Sequence, residues 1–222
     1  MATRTDRINT TRGLLREFGL DLPQGPAAVL ARVPTWLADE ESPIPPALRA
    51  ALTELIAEIR ALDTRIAAIE QQLRAQAKLR PEAQRLMAVP GIGLLIATAL
   101  IAAVGGMEAF RNGRHPAAWL GLTPRESSSG QRRHLGGISK RGDRYLRMLL
   151  IHGARAALLA ATRQAQAGKE PLTRLQRWAV DLAARVGHNK AACALANKLA
   201  RIAFAVVRQG CGFNGDFVSV AA

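Results

Sequence analysis

Leucine and isoleucine recur at alternating steps of four and three through Leu48, Leu52, Leu55, Ile59, Leu62, Ile66, Ile69 and Leu73. A repeat of about 3.5 residues puts all eight on one seam of a helix, predicted here from about Pro46 to Leu79. Glu54, Glu58, Arg60, Asp63, Arg65 and Glu70 fall off the seam, so this coiled-coil-type helix carries one apolar stripe and a mixed-charge face. The stripe needs something to bury it. An antiparallel hairpin within the chain and a pairing of two chains both satisfy it. A homo-oligomer is favoured because no second heptad run occurs elsewhere in the sequence.

Before the stripe, residues 8–38 read as two short helices broken at "DLPQGP", and "SPIPP" stops the second. After it, "LMAVPGIGLLIATALIAAVG" predicts a helix ending near Val89, a tight turn over Pro90–Gly93 and a second helix over Leu94–Val104. That is the layout of a helix-hairpin-helix element, whose glycines, Gly91 and Gly93, let backbone N–H groups approach a phosphate. A plain turn between core helices fits the same residues. Residues 107–121 suggest a short helix pair. From Thr123 to Ser139 helical periodicity fails, which predicts a β-hairpin or ordered loop. A helix then restarts with Asp143 as N-cap and Leu146, Leu149, Leu150, Ala154 and Leu158 on its buried face, and two more helices follow over about 172–184 and 189–208. The fold class expected is mainly α. The segments are linker helices over 1–44, the long helix over 45–80, a compact helical domain over 81–170 with closing helices over 171–210, and a flexible tail over 211–222.

Composition agrees: aromatic residues are only 4% of 222, hydrophobic residues reach 49%, and alanine, leucine and arginine dominate. The charge changes the picture more. Residues 1–80 hold 11 Lys and Arg against 10 Asp and Glu, whereas residues 81–222 hold 20 against 7. A neutral front and a strongly basic back point to a polyanionic partner, nucleic acid ahead of an anionic membrane surface. No signal-peptide core follows Met1, and the longest apolar run, Leu94–Val104, is too short to span a bilayer, so no membrane insertion and a cytoplasmic location are expected. Cys193 and Cys211 read as unpaired thiols, without metal-ligand spacing.

The basic part concentrates around "SSSGQRRHLGGISKRGDRYLR", residues 127–147. Ser127, Ser128 and Ser129 supply hydroxyls on an exposed segment, and Arg132, Arg133, Lys140, Arg141, Arg144 and Arg147 supply cations. A serine that attacks a phosphodiester needs this combination of a reachable hydroxyl and donors for the developing phosphorane charge. A flexible Ser/Gly loop beside a solvated basic helix is the plainer reading of the same residues. His134 in such a loop is more often a phosphate or solvent contact than a general base.

Three stretches, "VPGIG", "AFRNGRHPAAWLGLTPRESSSGQRRHLGGISKRGDRYLRMLLIHGARA" and "HNKAACALANKLARIAFAVV", resemble the C-terminal part of insertion-sequence transposases related to the pilin-gene invertase Piv. The likeness runs from about Arg4 to Val207. In that family an RNase-H-like domain with four acidic metal ligands precedes a coiled coil and a C-terminal domain. The latter's serine forms a covalent link to DNA while a structured RNA bridges two DNA partners. The resemblance implies Ser129, before the glycine of the "SG" pair, as the nucleophile, with Ser128 as the alternative. It implies DNA and guide RNA as partners, met by Gly91, Gly93, Arg125, Arg132, Arg133, Lys140, Arg141, Arg144 and Arg147.

The opening "ATRTDRINTTRGLLREFG" resembles the linker after the acidic domain, so no metal site is assigned here. Mg2+ is expected only with that domain, and this chain alone is expected to be inactive. The acids after residue 80, Glu82, Glu108, Glu126, Asp143, Glu170, Asp181 and Asp216, show no ligand spacing. A non-catalytic helix-hairpin-helix binding module and a scaffold assembled through the heptad stripe are the competing readings.

Overall fold

The computed structural model describes residues 2–169 and 171–216; Met1, Glu170 and the tail residues 217–222 lie outside the described residues. It is mainly helical, as expected. The order is α1 (Ala2–Arg16), α2 (Pro26–Ala38), α3 (Pro46–Lys78), α4 (Pro81–Met87), α5 (Leu94–Val104), α6 (Arg114–Trp119), β1 (Pro124–Glu126), β2 (Leu135–Ile138), α7 (Arg144–Gln166), α8 (Arg174–Val186) and α9 (His188–Gln209). The chain divides into two compact units, residues 1–72 and 73–222.

In the first unit α1, α2 and the first half of α3 enclose one apolar cluster of Ile8, Leu15, Val29, Val33, Ile44, Leu52, Ile56 and Ile59. Arg4 pairs with Asp63 and Arg7 Nε with Glu58 Oε2 at 2.7 Å, so α1 runs antiparallel along α3. Both pairs are part-exposed and contribute at most about 1 kcal/mol each; the register they mark is held by the apolar cluster. Arg49 closes the α2–α3 connection by donating to the carbonyls of Leu37 (2.9 Å), Ile44 (3.1 Å) and Ser42 (3.2 Å).

This arrangement revises the reading of the heptad stripe. Leu52 and Ile59 are fully buried, with Leu48 and Leu55 packed beside them, because α1 and α2 of the same chain cover that end. Burial then fades along the seam: Leu62 and Ile66 are partly exposed and Ile69 is 56% exposed. Helices α1 and α2 of the same chain cover the first half of the stripe, and the second half is more exposed.

The second unit is built around α7 and α9, which pack along each other through Ala154, Ala191, Ala192, Leu195, Ala196 and Leu199. Small residues at helical spacing let the two axes approach closely. Helix α8 joins them, started by a full capping box between Thr173 and Gln176. The α4–turn–α5 pair closes the core with Leu86, Val89, Ile92, Ile96 and Leu100. Where a helix pair was expected in residues 107–121, one short helix, α6, forms; Pro116 in its first turn suits a helix start. Residues 211–216 cross back onto the start of α8, where Leu175 N donates to Gly215 O (3.0 Å) and Arg174 N to Asp216 Oδ1 (2.7 Å).

Candidate nucleic-acid interface

Strands β1 and β2 pair antiparallel, and an isolated bridge between Ser129 and Arg132 extends the ladder to the tip. Ser129 and Arg132 exchange both backbone hydrogen bonds, at 3.2 and 3.0 Å, around a two-residue turn. Gly130 occupies the first central position at φ +54°, the left-handed conformation that tight hairpin turns use. Every residue from Pro124 to Gly137 is exposed. The serines therefore stand on an ordered hairpin, the first of the two alternatives the sequence left open.

The three hydroxyls are not equivalent. Ser128 Oγ donates to Glu126 Oε1 (2.9 Å) and accepts from His134 N (3.1 Å), so it is consumed in holding the hairpin together. Ser127 contributes its backbone N–H to His134 O at 2.9 Å. The Ser129 hydroxyl has no partner among the described residues. His134 acts through its backbone, donating to Ser128 and accepting from Ser127.

Cations lie along the hairpin and at its base. Arg133 Nε lies 3.3 Å from Glu126 Oε1, both exposed, so one positive charge is partly offset there. Arg125, Arg132, Lys140, Arg141 and Arg144 are exposed and have no carboxylate partner among the described residues. The hairpin's base is clamped to the core: Ser139 N donates to Thr123 O (2.8 Å) and Lys140 N to Gly121 O (3.1 Å). Gly121 and Gly142 leave no room for a Cβ against the Arg141 and Trp119 carbonyls, and Lys140 itself sits at φ +58°. A backbone this tightly packed fixes where the following side chains emerge. Asp143 then caps α7 by accepting from Leu146 N at 2.8 Å, as the sequence indicates.

Two of the expected contact residues have structural roles. Arg147 is only 9% exposed, and its Nη1 donates to the carbonyls of Leu120 and Arg141, both at 3.0 Å. It lies on the buried face of α7 and ties the helix to the clamp, so it is not available to a strand. Gly91, at φ +91°, is wedged against α7 and α9; a Cβ there would lie 2.8 Å from Gly153 O and 3.1 Å from Leu199 Cδ1. Its glycine serves close packing of the turn. Gly93, at the N-cap of α5, is exposed with open space around it.

A second group of cations escaped the sequence reading. Arg174 and Trp178 on α8 and Lys198 and Arg201 on α9 line one cavity, with Lys198 Nζ 4.0 Å over the Trp178 ring. Burial, and then the charges of Arg201 and Arg174, hold the Lys198 ammonium below its ordinary pKa. Spacings of four on α8 and three on α9 mark a shared face of each helix, but nothing in the sequence says that those two faces meet.

Among the described residues no group of three or more His, Cys, Asp or Glu side chains could hold a metal ion. Cys193 and Cys211 are free thiols. No described helix is long and apolar enough to cross a membrane.

An exposed serine at a cationic hairpin, on a helical unit, is an arrangement suited to phosphodiester chemistry. Residues 83–169, which contain the whole hairpin, match the transposase IS116/IS110/IS902 family. The chain is 45% identical over 210 residues to a probable family 20 transposase of Pseudomonas aeruginosa, an alignment covering 94% of this chain and 60% of that protein. It is 39% identical over 205 residues to the transposase for insertion sequence element IS1111A of Coxiella burnetii (92% and 54% covered). With the transposase for insertion sequence element IS1328 of Yersinia enterocolitica, identity is 38% over 213 residues (95% and 60%). The chain thus spans between half and three fifths of the length of these relatives.

Proposed function

We propose that this chain is the DNA-gripping, serine-bearing part of an insertion-sequence transposase, with Ser129 as the nucleophile of strand cleavage and rejoining. The observation that carries the reading is the division of labour on the hairpin: Ser128 is tied to Glu126 and His134, while the Ser129 hydroxyl is exposed and unengaged. In the step proposed, Ser129 Oγ bonds to the phosphorus of a DNA phosphodiester and the bond from phosphorus to one deoxyribose oxygen breaks. The departing oxygen takes up the proton that the serine gives up, and rejoining reverses the exchange. Arg132, paired with Ser129 at the tip, is the cation placed to balance the charge that develops on the phosphorane oxygens, while Arg125, Lys140 and Arg141, toward the base, grip neighbouring phosphates.

Magnesium is proposed to act only together with the acidic domain of the resembling family; among the described residues no group of three or more His, Cys, Asp or Glu side chains could hold it. A structured guide RNA is the second polyanion proposed to meet the basic unit. Self-association is proposed through the uncovered half of the stripe, Ile66 to Leu73.

Salt titration of binding to a DNA duplex carrying insertion-sequence ends tests the grip. Replacing Arg125, Arg132 or Lys140 by Gln is expected to lower the log–log salt slope by about one unit each. Slopes that stay at the wild-type value in all three variants would show that the hairpin does not touch the strand. Binding that depends on the hairpin but never yields a covalent product, even with an acidic domain supplied, would favour the non-catalytic module.

A further inference from the structure

The cavity between α8, α9 and residues 211–215 lies outside the hairpin, and nothing in the transposase reading uses it. It encloses about 460 Å³, within the range of small-molecule sites. Its lining combines apolar residues, Leu175, Ile202 and Phe213, with three cations, Arg174, Lys198 and Arg201. No carboxylate lines the cavity, and none of the three cations has a carboxylate partner among the described residues. Three like charges gathered without a carboxylate oppose one another, and the Lys198 pKa is lowered first by burial and then by the charges of Arg201 and Arg174. The Trp178 ring offsets part of the charge on Lys198 alone, and an anion would relieve the repulsion among all three.

The shape narrows the class of anion. A bare phosphate would leave the apolar residues and the Trp178 edge unused, and a purely apolar ligand would leave the cations unpaired. A ligand with a flat ring joined to a phosphate satisfies both sets of residues, and the Asn214 amide in the lining, whose Oδ1 accepts from Asp216 N (2.9 Å), keeps an NH2 group of the kind that pairs with base edges. We propose that this cavity is a nucleoside-phosphate site, taking either an unpaired nucleotide of a bound strand or a free nucleotide. In its strand form the inference rests on the nucleic-acid reading above; the free-nucleotide form stands without it.

The test titrates the full chain with AMP, adenosine and inorganic phosphate. Calorimetry and the Trp178 indole N–H resonance, assigned by its loss in Trp178→Phe, follow binding. AMP is expected to bind and shift that resonance, with adenosine and phosphate each about tenfold weaker or more. Lys198→Met and Arg201→Gln are expected to weaken AMP by about tenfold each, the loss of one charge-assisted contact. The hairpin variant Arg132→Gln is expected to leave AMP binding unchanged. A short single-stranded oligonucleotide that displaces AMP assigns the site to a strand; one that does not assigns it to free nucleotide, and either result supports a nucleoside-phosphate site.

No AMP binding at millimolar concentration overturns the inference, as does phosphate binding as tightly as AMP; both comparisons use the unaltered chain and survive a misfolded variant. AMP binding without hairpin-dependent DNA binding would sink the transposase reading alone. The reverse would sink only this site.

Discussion

Arg147→Met separates a structural arginine from a DNA contact most sharply. The substitution keeps an aliphatic stem of similar length and removes the two hydrogen bonds at 3.0 Å to Leu120 O and Arg141 O. Charge-assisted hydrogen bonds contribute roughly 1.5–3 kcal/mol each. The Leu120 contact is buried and its carbonyl is stranded, whereas the Arg141 contact is part-buried and water regains some of the loss. A net cost of about 3 kcal/mol follows. With a urea dependence of about 2 kcal/mol per molar, the midpoint for the second unit should fall by about 1.5 M. Urea titration followed by tryptophan emission in a Trp36→Phe background measures it, since Trp119 and Trp178 both lie in that unit and Trp36 lies in the first. Below the transition, the salt slope for DNA binding should match wild type. An unchanged midpoint together with a slope lowered by about one unit would refute the reasoning and return Arg147 to the strand.

Gly91→Ala should cost about 3 kcal/mol, from a left-handed backbone and a Cβ 2.8 Å from Gly153 O; thermal unfolding reads the loss, and an unchanged Tm counts against the wedge. Asp143→Ala should cost about 1 kcal/mol and speed hydrogen exchange at Leu146 N, the amide it caps; unaltered exchange there would mean the cap contributes nothing. Ile59→Ala should destabilise the first unit by about 2–4 kcal/mol, whereas Ile69→Asp, at a 56% exposed position, should leave stability within about 0.5 kcal/mol. Sedimentation of Ile69→Asp should show weakened self-association, and a mass identical to wild type would remove the stripe as an interface.

Local signals in the sequence survived where chemistry and periodicity acted over a few residues. The helix over Leu94–Val104 and the Asp143 cap appear as expected, because a glycine-flanked apolar run and a capping carboxylate act locally. The stripe in α3 was legible but its cover was not: Ile8 and Leu15 stand one heptad apart and Val29 and Val33 four residues apart, runs too short to read as a seam, yet these two short helices bury the first half. Arg147 was misread although its spacing held the answer. It shares the steps of three and four with Leu150, Ala154, Leu158 and Ala161, all buried. A cationic side chain on that face should have been read as turning inward to satisfy carbonyls. The cavity cations could not be gathered from the sequence, since Arg174 and Arg201 meet only when α8 and α9 fold against each other.

Mapping the covalent product tests the central claim most directly. The chain, supplied with an acidic metal-binding domain of a full-length relative, is incubated with insertion-sequence-end DNA nicked so that rejoining is blocked, and the adducted peptide is sequenced by mass spectrometry. A phosphodiester on Ser129, retained in Ser128→Ala and lost in Ser129→Ala without loss of DNA binding, is the predicted result. An adduct carried by Ser128, or one that persists when Ser129 is alanine, would contradict it.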